Sequence, residues 1–100
     1  MLSKTNVSLP AGARVRVKKP GSVPEWSEWD PCQRTSTPVK RRLQQLFFLG
    51  DKRIQAEVLY ISSEGLRERL RNQGRVRVEL RDPAGCSIVI LADAENLNSV

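Results

Sequence analysis

The chain has 100 residues, 39% of them hydrophobic and 28% charged, with 17 Lys and Arg against 11 Asp and Glu and a formal net charge of +6. That length makes one domain whose core can form without metal or disulfide staples. The basic balance favours anionic partners and is silent about fold, while the absence of histidine removes the commonest general base and the commonest transition-metal ligand.

The charge is unevenly spread. Residues 1–53 hold eleven Lys and Arg against four Asp and Glu, a balance of +7, whereas residues 54–100 hold six against seven, a balance of −1. Two cysteines, Cys32 and Cys86, are too few for a disulfide scaffold, and separate reduced thiols in a cytoplasmic protein are the expectation. The opening MLSKTNVSLP contains no apolar stretch of signal-peptide type, and no apolar run approaches the length of a membrane span, so no membrane partner is expected.

Residues 1–8 are polar and read as a flexible N-terminus. A single globular domain is expected over 9–92. Leu9-Pro10-Ala11-Gly12 introduces an alternating segment in which Ala13, Val15 and Val17 share one face and Arg14, Arg16 and Lys18 the other, ended by Lys19-Pro20-Gly21. This is a strand pattern with a narrow apolar face, suited to a sheet edge, and an exposed edge also offers a place for a second copy of the chain. The stretch PAGARVRVKKPG resembles the first strand of SH3-like and KOW-type barrels, which implies a sheet curled toward a barrel.

Residues 21–37 show no sustained period and are punctuated by Pro24 and Pro31, so they read as a long loop. Trp26 and Trp29 can either anchor this loop on the sheet or present an aromatic surface to a partner. Glu25, Glu28 and Asp30 cluster there as well. They lack the dense oxygen-ligand pattern of a calcium site and read as solvated acids, with no metal and no cofactor expected.

A helix is expected over 38–49, with Thr37 as N-cap, Pro38 at the first position and Gly50 as the stop. Val39, Leu43, Leu46 and Phe47 would form its buried face. The competing assignment is a strand over Leu43–Leu49, hairpinned through Gly50-Asp51-Lys52-Arg53, because Phe47-Phe48-Leu49 is a continuous apolar run. Ile54 to Ile61 reads as a strand with Ile54, Ala56, Val58 and Tyr60 on one face. Ser62 or Ser63 then caps a short helix carrying Leu66 and Leu70, which Gly74 ends.

The strongest local pattern is GRVRVELRDPAGCSIVILA, residues 74–92. Val76, Val78 and Leu80 alternate with Arg75, Arg77, Glu79 and Arg81, and Asp82-Pro83-Ala84-Gly85 supplies a turn. If Pro83, Ala84 and Gly85 form the loop, Leu80 faces Ile88, Val78 faces Ile90 and Val76 faces Ala92. The second strand is apolar on both faces and belongs inside the sheet. The arginines of the first strand would lay their stems over Val89 and Leu91 and keep their heads in water. Residues 93–100 read as a polar tail.

The pattern as a whole predicts an α+β fold: one small domain, an antiparallel sheet of about four strands curling toward an SH3-like barrel, and one or two short helices. No dinucleotide fingerprint, phosphate loop or nucleophile elbow is present, and the chain reads as a non-catalytic binding module. Two functions fit. In the first, Arg14, Arg16, Lys18, Lys19, Lys40, Arg41 and Arg42 contact the phosphates of RNA or DNA while Trp26 or Trp29 stacks on a base. In the second, the Trp loop and Phe48 dock a protein partner and the charge steers association, as an accessory subunit of a larger complex would require.

Overall fold

The computed structural model describes residues 9–24, 27–30 and 35–100. In chain order its elements are β1 (Val15–Val17), β2 (Glu28–Trp29), α1 (Thr37–Phe48), β3 (Gln55–Val58), α2 (Glu64–Gln73), β4 (Arg75–Arg81), β5 (Ser87–Asp93) and β6 (Leu97–Ser99), with a 3-10 turn over Ala94–Asn96. The expected flexible segment 1–8 lies outside the described residues.

The β4–β5 hairpin has the register that its alternation dictates. Val76 faces Ala92, Val78 faces Ile90 and Leu80 faces Ile88, and all of these except half-buried Val76 are buried. The turn closes on Asp82, whose carbonyl accepts from the Gly85 N–H at 3.1 Å and whose Oδ1 accepts from the Cys86 N–H at 2.9 Å. Gly85 sits at φ +91°, a conformation that only glycine adopts cheaply. β3 adds to the free side of β4 and β2 to the free side of β5, giving an antiparallel sheet in the order β2-β5-β4-β3. The strand with apolar residues on both faces is thus interior, as expected.

The four strands anticipated from the sequence are all present, and two further ones, β2 and β6, are short. β6 pairs antiparallel with β1, Val17 facing Leu97 and Val15 facing Ser99. The start of this ribbon is tied to β3: the Val58 N–H donates to the Ala13 carbonyl at 2.9 Å, the Gly12 N–H donates to the Val58 carbonyl at 2.8 Å, and Arg14 bridges to Glu57. The fold is α+β, with a four-stranded and a two-stranded antiparallel sheet and two helices. Among the described residues β2 and β6 do not pair, so the strands do not close into a barrel.

Three expectations are corrected. Residues 93–100 are not a polar tail, because β5 runs to Asp93 and Leu97 is 2% exposed in the core; a single apolar residue among polar neighbours carries no periodicity to reveal this. β1, read as an exposed edge strand, has one of its two edges paired with β6. The loop over 21–37 is interrupted by β2, where Glu28 faces Leu91 and Trp29 faces Ile90.

Helix α1 decides the competing assignments for 38–49 in favour of helix. It lies over the inner face of β4 and β5 and also contacts β1. Leu43, Phe47 and Phe48 are buried against Val15, Ala56, Val58, Val78, Leu80, Ile88, Ile90, Ala92 and Leu97. A buried aliphatic or aromatic side chain contributes about 1.5–3 kcal/mol by leaving water, and this shared burial fixes the helix more firmly than its own propensity. The buried stripe is Leu43, Gln44, Phe47 and Phe48, rotated from the expected one: Val39 and Leu46 are only half-buried, and Gln44 lies inside. Gly50 follows at φ +81°, and a Cβ there would stand 3.1 Å from the Pro20 ring. The turn after β1 is therefore pressed against the C-terminal end of α1, where the Gly21 N–H donates to the Phe48 carbonyl at 2.7 Å.

Helix α2 begins at Ser63, whose hydroxyl accepts from the Leu66 N–H at 3.3 Å, and ends at the left-handed Gly74. It buries Leu70 and packs on β4. Tyr60, expected on the inner face with Ile54, lies beyond the end of β3 and is 67% exposed.

Candidate polyanion-binding surface

Opposite charges meet on the outer face of the four-stranded sheet. Arg77 donates to Asp30 at 2.7 Å, Arg75 lies 3.3 Å from Glu28 and 3.5 Å from Asp93, and Arg81 lies 3.1 Å from Glu79. Register explains the diagonal pairing. Arg77 faces Leu91 across the ladder and Leu91 faces Glu28 on β2, so the guanidinium groups reach past half-buried Leu91 and Val89 to the acids beyond. Glu28 and Asp30, read as solvated loop acids, are instead the loop's attachment to the sheet, and Asp30 is 8% exposed. Glu25 is outside the described residues, and among the described residues no cluster of three or more potential metal ligands occurs.

Trp29 attaches the same loop to α1. Its indole N–H donates to Gln44 Oε1 at 2.7 Å, Gln44 Nε2 donates to Ser27 Oγ at 2.9 Å, and Lys40 Nζ stands 4.6 Å from the ring centroid. Two of the predicted site residues are thereby brought together as an internal pair. The contact reflects helix geometry, since Lys40 lies on the same side of α1 as Leu43, Gln44 and Phe47 while Arg41 and Arg42 are exposed. Trp29 is half-buried and serves as an anchor, the first of the two roles open to it. Trp26 lies outside the described residues. Phe48, proposed as a docking residue, is 3% exposed and meets Phe47 edge-on at a centroid distance of 5.0 Å.

The remaining predicted cations fall into three places. Arg14 and Arg16 alternate with buried Val15 on β1, and Arg14 borders a shallow depression with Gln55, Glu57, Glu79 and Arg81. This is mixed-charge surface. Arg41 and Arg42 stand on the solvent side of α1, where Arg42 pairs with Asp82 of the hairpin turn at 3.1 Å. Lys18 and Lys19 lead into Pro20 and Gly21 at the other end of the helix, where Lys52 and Arg53 follow Gly50. Arg53 is held by Asp51 at 2.8 Å, and these hydrogen bonds, first from the side chain and then from the Arg53 N–H, lower the Asp51 carboxyl from 3.8 to about 2.

Ion pairing separates these groups. Arg75, Arg77 and Arg81 on the sheet each have a carboxylate partner. Among the described residues Arg14, Arg16, Lys18, Lys19, Arg41, Lys52, Arg69 and Arg71 are exposed and make no ion pair; Arg69 and Arg71 share α2 with Glu64 and Glu68. Helix α1 contains no acidic residue at all. Among the described residues, α1 and the turns at its ends carry Lys18, Lys19, Arg41 and Lys52 without a carboxylate partner, a local concentration of positive charge.

A cleft of about 750 Å³ lies at the other helix, bordered by Leu9, Tyr60, Arg67, Leu70, Arg71 and Val76 among others. Arg67 Nη1 donates to the Tyr60 hydroxyl and to the Ile61 carbonyl, each at 3.2 Å. No signal in the sequence brings these residues together, because alternation places Tyr60 on one face with Ile54, Ala56 and Val58. Cys86 carries a free, half-buried thiol; its proposed separation from Cys32 involves a residue outside the described ones. No helix among the described residues is long and apolar enough to cross a membrane.

No protein-family model, no curated protein and no solved structure matches this chain. Function has to be read from its own surface.

Proposed function

We propose that this protein is a non-catalytic, cytoplasmic binding module that holds a nucleic acid, RNA or DNA, through its phosphates. One observation carries the reading: four of the exposed cations without carboxylate partners, Lys18, Lys19, Arg41 and Lys52, lie on α1 and its flanking turns, where the helix has no acidic residue, while the sheet arginines Arg75, Arg77 and Arg81 are paired. Lys and Arg side chains left bare in this way release condensed counterions when they meet a polyphosphate, and that release drives binding. Arg42 contributes to the same surface on exchanging Asp82 for a phosphate, and Arg16 flanks it from β1. Lys40 and Trp29 take a different role from the one expected of them, holding the 27–30 segment against the helix.

Docking of a protein through the Trp loop has less support, because Phe48 is interior and Trp29 is engaged with Lys40 and Gln44. The test is a titration of labelled mixed-sequence RNA and DNA at two salt concentrations, repeated with the double variant Lys18→Glu/Arg41→Glu. Both positions are exposed, so the variant should fold, which circular dichroism checks. Affinity that falls steeply with salt and disappears in the variant supports the reading. Salt-independent binding, or binding unaffected by the variant, refutes it.

A further inference from the structure

We infer that the surface on α1 takes the backbone of a double-stranded nucleic acid in preference to a single strand. This rests on the reading just proposed and specifies its ligand. Single-strand binders combine a basic groove with aromatic side chains on which bases stack, and that stacking supplies much of their affinity. The aromatic residues described here are not available for it on α1. Phe47 and Phe48 are each 3% exposed, the Trp29 ring is covered by Lys40 and its N–H is held by Gln44, and Tyr60 belongs to the cleft beside α2, where Arg67 stands 5.8 Å from its ring centroid.

What α1 does offer is rigid spacing of charge. Arg41 and Arg42 stand on its solvent side, and Lys18, Lys19 and Lys52 lie near its C-terminal end, seven residues on from Arg41. At about 1.5 Å of rise per residue the two groups are separated by roughly 10 Å along the axis. That separation is comparable with the width of the major groove of a DNA duplex, about 12 Å, whose walls are phosphate backbones. Burial of Leu43, Phe47 and Phe48 fixes the helix, and the Gly21–Phe48 hydrogen bond with the close approach of Pro20 to Gly50 fixes the turn, so the backbone from which the cations project is set before any ligand arrives. A duplex presents phosphates at equally fixed positions. A single strand has to be ordered to match them, at an entropic cost that no aromatic among the described residues offsets from α1.

The experiment compares short mixed-sequence duplexes of DNA and of RNA with the corresponding single strands, by fluorescence anisotropy over a range of salt. The expected result is tighter binding of at least one duplex, with the logarithm of its affinity falling against the logarithm of salt at a slope of about −4, the value for four to five phosphates neutralised. The DNA and RNA arms show which duplex is preferred. A Trp26→Ala variant is titrated in parallel. Single strands bound as tightly as duplexes, or single-strand binding lost in Trp26→Ala, would overturn the duplex preference while leaving polyanion binding intact. Absence of binding to any probe at low salt would overturn both.

Discussion

Gln44 does more than its residue type announces. Glutamine on a helix with a basic flank reads as solvent-facing, yet this one is 7% exposed and joins two segments, accepting from Trp29 and donating to Ser27. Replacing it with leucine removes the acceptor of the half-buried Trp29 indole N–H, so Gln44→Leu should cost about 1 kcal/mol, the usual net contribution of such a hydrogen bond. Chemical denaturation measures the loss, and hydrogen exchange should show it accompanied by faster exchange at Ser27–Asp30. Asp51 supplies a pH-dependent counterpart on the surface. Its carboxyl is depressed to about 2 by Arg53 and is therefore ionised in the folded chain well below the ordinary value of 3.8. Whatever stability the Asp51–Arg53 clip contributes is present above the ordinary carboxylate range and fades as pH falls through about 2. A carboxyl carbon titration should place the Asp51 midpoint near 2, and Arg53→Ala should move it upward.

At the level of elements, legibility followed sequence distance. The β4–β5 hairpin could be read to the residue because its pairing partners are separated by one short turn, and turn chemistry at Asp82 and Gly85 fixes the register that alternation requires. Helix α1 was legible through Pro38 and Gly50, and α2 through Ser63 and Gly74. The orientation of α1 was not, because Gln44 is inside for reasons that lie on β2, fifteen residues away. Two-residue β2 has no period to detect. The candidate cations were visible as charge, but their sorting into compensated and bare groups depends on which acids the fold brings near, and Glu28 and Asp30 gave no sign that they would serve the sheet arginines. The first turn of α1 has no acidic residue, and Ser36 makes no side-chain cap hydrogen bond. A helix N-terminus favours negative charge, so Thr37→Glu should stabilise the protein by about 0.5 kcal/mol. The same change places an anion beside Arg41 and should weaken nucleic-acid binding. Thermal denaturation and the anisotropy titration would show stability and affinity moving in opposite directions, as expected where a surface is kept basic for a ligand.

Across the whole molecule, the sequence beyond Asp93 completes the core. Lys18 donates its N–H to the Asn96 carbonyl at 2.9 Å and Val100 donates to the Arg14 carbonyl at 2.8 Å, so β6 spans β1 from end to end. Leu97 lies within the cluster that includes Val15, Leu43 and Ile90. Since β1 leads into the turn carrying Lys18 and Lys19, β6 also holds in place one end of the basic surface. Truncating Leu97 to alanine removes a core side chain and leaves a cavity, which costs about 2–5 kcal/mol at such sites, a large part of the stability of a domain this size. Leu97→Ala should therefore lower the midpoint of urea unfolding strongly, whereas Asn98→Ala on the exposed side of the same strand should change it by less than about 0.5 kcal/mol. Equal, small effects at both positions would mean that 97–99 is a tail after all. If Leu97→Ala remains folded at low temperature, its affinity for nucleic acid should also fall, with the Lys18→Glu effect reduced in the same background, because the turn at 18–21 has lost the strand that positions it.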